Sequence, residues 1–130
     1  MSKVRILVVE DFAAFREFVC AILAKNLDLL VVGEAADGID AVKKAQELKP
    51  DLILLDIGLP SQNGLEAARQ ICELSLESRI IFVTQESSPD VVKEAFGLGA
   101  QGYVLKTHAG TDLLAAVDAV ILGKQFVSAI

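Results

Sequence analysis

No stretch of this sequence approaches the run of about eighteen apolar residues that crosses a bilayer, although 53% of the chain is hydrophobic and its mean hydropathy is +0.51. A chain so apolar is not disordered, so its apolar residues belong to a core and a soluble globular protein is expected. Basic clusters are missing too. Twelve Lys and Arg stand against 18 Asp and Glu, a net charge of −6, and that balance repels a phosphate backbone, so the chain itself is a poor nucleic-acid binder. Cysteine is scarce: Cys20 and Cys72 fall in helix-like apolar patterns without Cys-x-x-Cys spacing, which reads as two buried thiols in a reducing compartment. The single histidine, His108, lies in an expected loop with no partner and is read as a solvated bystander. The opening Met-Ser-Lys-Val-Arg-Ile-Leu has no long apolar segment with a small-residue cleavage site, so a cytoplasmic protein without a membrane partner is expected.

What is present is a fivefold alternation. Mostly continuous apolar runs at Val4–Val9, Leu30–Glu34, Leu52–Leu55, Ile80–Val83 and Tyr103–Leu105 suit strands buried on both faces. Helix-like stretches follow at 12–26, 38–48, 63–75, 88–98 and 111–122, with Phe15, Val19 and Ile22, and Leu114, Val117 and Ile121, as the clearest stripes. Asp37-Gly38, Lys49-Pro50, Pro60 to Gly64, Ser87-Ser88-Pro89 and Gly97 to Gly102 punctuate them. The alternation predicts one α/β domain over residues 1–130, a doubly wound parallel sheet of five strands with helices on both faces.

Ligands in such a fold bind beyond the carboxyl ends of the strands. There the first strand ends in Glu10-Asp11 and the third in Asp56, three carboxylates that need a cation. Hard oxygen donors of this number suit Mg²⁺. Asp11 also precedes a helix and fits equally as its cap; Asp56 has no such alternative. The fourth strand ends in Thr84, a hydroxyl able to donate to a phosphoryl oxygen, and Lys106 follows the fifth. Together these residues supply metal ligands, a nucleophile and charge stabilisation for phosphoryl transfer.

The runs Ile6 to Asp11, Asp51 to Asp56 and Gly99 to Lys106 make the chain resemble, over nearly its whole length, the receiver domains of bacterial two-component response regulators. The resemblance implies a flavodoxin-like strand order 2-1-3-4-5. It also implies that Asp56 accepts a phosphoryl group from a sensor histidine kinase, and that Mg²⁺ is held by Glu10, Asp11, Asp56 and the Gly58 carbonyl. Thr84 and Lys106 would contact the phosphoryl group, and Thr84 and Tyr103 would act as the switch, Tyr103 turning inward. Without the resemblance, Tyr103 reads as a strand aromatic with its hydroxyl at the surface. The protein so implied is a signalling switch that takes part in its own phosphorylation and autodephosphorylation rather than an enzyme.

The segment Lys106-Thr107-His108 to Leu114 and the ending Gly123 to Ser128 are similar to the receivers joined to LuxR-type helix-turn-helix effectors. That likeness implies that the chain is the N-terminal part of a longer transcription regulator, touching DNA only through that second domain, and leaves open a homodimer formed on phosphorylation. Two departures stand out. Gln85 occupies a position that is usually small, and its side chain is expected to shield the acceptor and lengthen the phosphoryl lifetime. Thr107 stands where many receivers have proline, so the usual cis peptide is not implied. Glu34 and Asp37 read as solvated acids outside the site. An aspartate-nucleophile phosphatase would carry a second acid where Gly58 stands. A nucleotide or flavin binder would not place Glu10-Asp11 in its phosphate loop. A pseudo-receiver would lack one of the acids or the lysine.

Overall fold

The computed structural model describes residues 3–74 and 77–129; the expected helix end at residue 75 and the chain-end residues 1, 2 and 130 lie outside them. Strands β1 (Val4–Val9), β2 (Leu29–Ala35), β3 (Leu52–Leu55), β4 (Arg79–Thr84), β5 (Gly102–Leu105) and β6 (Phe126–Val127) alternate with helices α1 (Ala13–Leu23), α2 (Gly38–Leu48), α3 (Gly64–Glu73), α4 (Pro89–Gly97) and α5 (Ala109–Ile121). All pair in parallel in the order β2-β1-β3-β4-β5-β6. The expected order 2-1-3-4-5 therefore holds, and among the described residues a sixth strand, β6, extends the expected five at the β5 edge. The sixth exists because Phe126 and Ser128 donate their amides to the carbonyls of Gln101 and Tyr103, a long-range pairing that two residues do not announce locally.

The inner strands are mostly apolar because they are covered on both sides. Ile6, Val8, Leu52, Leu54, Ile81, Val83 and Val104 face a core closed by α1 and α5. Their neighbours Leu7, Val9, Ile53, Leu55, Ile80, Phe82 and Tyr103 face a second core closed by α2, α3 and α4. This is the period-2 alternation of a pleated sheet, and each fully buried Leu, Ile or Val contributes roughly 1.5–3 kcal/mol.

Two glycines fix the loop after β3. A Cβ on Gly64 would stand 1.9 Å from the Asp56 carbonyl oxygen, and one on Gly38 would stand 1.8 Å from that of Gln62. The Gly64 and Gly38 amides donate to the carbonyls of Ile57 and Pro60. The N-termini of α2 and α3 thus close on the loop from both sides, and only glycine permits the approach.

Candidate phosphoryl-acceptor site

The carboxyl ends of β1, β3, β4 and β5 bring Glu10, Asp56, Thr84 and Lys106 to one rim of the sheet. Glu10, Asp56 and Thr84 are buried. The Lys106 ammonium bridges two acids, 2.6 Å from Glu10 Oε1 and 2.9 Å from Asp56 Oδ2, and lies 4.9 Å from the centroid of the Phe15 ring. Burial alone would lower the Lys106 pKa, but the hydrogen bonds and charges of Glu10 and Asp56 outweigh it and raise the value. Burial pushes the Glu10 carboxyl up and the Asp56 charge adds to that, while Lys106 and the Phe12 amide oppose it.

Asp11 completes the acid group. Its ligand oxygen and those of Glu10 and Asp56 lie within 4.8 Å of one another. The capping alternative fails, because Phe12 holds the N-cap position of α1 and no side chain caps the helix. Three hard oxygen donors converging beside a single ammonium fit a small divalent cation such as Mg²⁺. Gly58 is exposed beside the acids, and its amide makes a long 3.4 Å contact to Asp56 Oδ1. Asp11, Phe12, Asp56, Ile57, Gly58, Thr84, Gln85, Glu86 and Lys106 line an open cavity of about 410 Å³, large enough for a phosphoryl group.

Thr84 Oγ1 accepts from the Glu86 amide at 3.3 Å, which leaves its hydroxyl hydrogen for another acceptor. Tyr103 is fully buried, with its ring 6.3 Å from that of Phe82 and its hydroxyl donating to the Glu86 carbonyl. The surface position that the residues alone suggested for its hydroxyl is not adopted, because the β4–α4 loop offers an acceptor. Burial and the charges of Glu86 and Asp56 push the phenol up to about 12.

Other expectations are redistributed. Lys106–His108 form a single 3-10 turn running into α5, which therefore starts at Ala109 rather than 111, and the Lys106–Thr107 peptide is trans. His108 is half-buried at the turn's end, its Nδ1 4.0 Å from Asp112 Oδ2. Cys20 is half-buried and Cys72 is exposed, its thiol directed at the Leu98 carbonyl at the C-terminal end of α4; the expectation of two buried thiols is corrected accordingly. Asp37 caps α2 through the Asp40 amide, and Glu34 pairs with Arg16. Neither Arg16 nor Phe15 stood out in the sequence as a neighbour of the site, since each is one of several α1 residues between Asp11 and Val19.

Residues 6–118 match the family described as response regulator receiver domain. The chain is 37% identical over 123 residues to the nitrate/nitrite response regulator protein NarL of Escherichia coli strain K12, and 35% identical over 121 residues to the transcriptional regulatory protein LiaR of Bacillus subtilis strain 168. These alignments cover 95% and 93% of this chain but 57% of each relative, so the chain spans a little over half the length of either. Among solved structures, a LuxR-family two-component response regulator from Aurantimonas sp. SI85-9A1 superimposes with a TM-score of 0.93 at 32% identity, covering 98% of this chain and 91% of that one. The receiver domain of the putative response regulator NarL from Mycobacterium tuberculosis gives 0.90 at 32%, covering 95% and 100%. With the family's pattern spanning its sheet and its site rim, the chain belongs to the response regulator receiver domains of two-component signalling, in the company of relatives that regulate transcription.

Proposed function

We propose that this chain is a cytoplasmic phosphorylation switch in which Asp56 takes a phosphoryl group from the histidine of a sensor kinase. The observation that carries the reading is the Lys106 ammonium held between the buried carboxylates of Glu10 and Asp56 at the mouth of a phosphoryl-sized cavity. Lys106 engages Asp56 Oδ2, so Oδ1 is assigned as the nucleophile. It forms a bond to phosphorus while the bond from phosphorus to the kinase nitrogen breaks, the electron pair leaving with the imidazole. Lys106 then has a phosphoryl oxygen to pair with, and the Thr84 hydroxyl donates to another. Mg²⁺, held by Glu10, Asp11, Asp56 and the Gly58 carbonyl, would neutralise the charge of the acids and of the incoming group. Hydrolysis of the acyl phosphate returns the resting state, so the chain takes part in its own chemistry without being an enzyme in the ordinary sense.

A new dianion at Asp56 would draw Thr84 toward it and alter the Glu86 and Tyr103 contacts, changing the surface formed by α4, β5 and α5. We assign residues 1–130 as one receiver unit of a longer regulator, with transcription controlled by a C-terminal DNA-binding domain and with dimer formation as one outcome of phosphorylation. The test is intact-protein mass after incubation with Mg²⁺ and acetyl phosphate. Gain of one phosphoryl mass is expected, lost in Asp56→Asn and on chelation. Absence of any adduct, with phosphoramidate as well, would leave a receiver that binds partners without phosphate.

A further inference from the structure

Arg16 lies outside the cavity yet holds the chain that carries two of its acids. It sits in the first turn of α1, a helix with no side-chain cap. Its guanidinium donates from one terminal nitrogen to the main-chain carbonyl of Glu10 at 2.8 Å and from Nε to Glu34 Oε1 at 3.0 Å. The Glu10 carbonyl belongs to the peptide joining Glu10 to Asp11, so its direction sets where both side chains leave the backbone. The same turn is closed from the cavity side, where the Phe12 amide donates to Glu10 Oε2 at 3.0 Å. Glu34 is itself anchored: it lies within β2, one residue before its end, and the Lys44 ammonium, paired with Asp40 at 3.0 Å, donates to the Glu34 carbonyl.

We infer that Arg16, braced by Glu34, is a positioning residue for the Glu10–Asp11 acid pair and so sets the affinity of the site for its divalent cation. The inference rests on the cation site proposed above. The physical reason is preorganisation: carboxylates already aimed at a common point lose less freedom on binding, and outer partners that orient metal ligands alter affinity without touching the ion. A guanidinium suits the task because one planar group spans the β1–α1 connection and the last residues of β2, whereas a lysine ammonium lacks the fixed fork.

The experiment titrates Mg²⁺ alone into the full chain by calorimetry, for wild type, Arg16→Ala, Arg16→Lys and Glu34→Ala. Thermal unfolding and the amide resonances of Asp11 and Phe12 are recorded on each without Mg²⁺. Arg16→Ala is expected to weaken Mg²⁺ binding by about tenfold, the lower end for loss of a partner that orients a metal ligand. Arg16→Lys and Glu34→Ala should fall between it and wild type, with the two amide resonances displaced in order of affinity. Lower thermal stability with an unchanged Mg²⁺ dissociation constant would make Arg16 merely structural and overturn the inference. If Arg16→Ala does not fold, the two milder variants decide the matter by the same comparison. Failure of the wild-type chain to bind Mg²⁺ would overturn the cation site and, with it, this role.

Discussion

The Tyr103 hydroxyl donates to the Glu86 carbonyl at 2.6 Å, which ties β5 to the loop that leaves Thr84 and carries Gln85 past the cavity. The contact joins the rim that carries Asp56 and Thr84 to the face of the sheet under α4, because the same ring packs beside Phe82 in that core. A change at Thr84 therefore reaches a buried aromatic in two steps along the backbone.

Tyr103 is the one tyrosine of a chain without tryptophan, so its ionisation is directly visible. Its absorbance should shift to tyrosinate with a midpoint near 12, above the ordinary value of 10. Because the folded value is the raised one, the stabilisation from the protonated phenol is complete below about pH 10 and is lost as pH rises toward 12. A midpoint near 10 in the folded protein would contradict the buried hydrogen bond.

Lys106 keeps two buried acids compatible. Lys106→Met should destabilise the fold by about 3 kcal/mol at neutral pH, the lower end for breaking a buried pair. Asp56→Asn should recover much of that loss, since one like charge is gone, and urea unfolding of the four species of this double-mutant cycle measures it. Additive effects of the two substitutions would mean that the acids do not feel each other through the lysine.

Gly64→Ala should cost about 1–3 kcal/mol through overpacking, because the new methyl meets the Asp56 carbonyl. It should also slow acetyl phosphate labelling by moving the acceptor's peptide. Gly110→Ala, in open space on α5, should be neutral or stabilising by about 0.4–1 kcal/mol. Equal losses in thermal unfolding would refute the steric account.

Gln85 is exposed at the cavity wall, and the expectation that its side chain shields an acyl phosphate from water has a direct test. Gln85→Ala should shorten the lifetime of the phosphorylated protein, followed as the decay of the mass adduct. Unchanged decay would remove the shielding role.

Much of the fold was legible because five of its strands are mostly apolar rather than alternating, a pattern that two-sided burial imposes and that Leu52–Leu55 shows plainly. Glu10, Asp56, Thr84 and Lys106 were legible for a related reason: each is the first polar residue to end or follow such a run. Less could be read where long-range partners decide. β6 is a strand only through Gln101 and Tyr103. A residue on a strand buried on both faces carries no local mark of which way it points, which left the Tyr103 hydroxyl open. Cys72 lies in an apolar stretch yet is exposed, because Ala67, Ala68 and Ile71 already fill the inner face of α3.

The division of the interior into two cores makes the sheet a partition wall. Removing the methyl groups of Val117 or Val120 beneath α5 leaves a void for α1 and α5 to absorb, while Ile53, Phe82 and Tyr103 keep their own neighbours across the wall. Repacking one compartment should thus change stability in amounts that add to those of the other. The molecule is two half-interiors sharing one septum, and Asp56 stands on the septum's edge, just past β3, whose Leu54 and Leu55 belong one to each half.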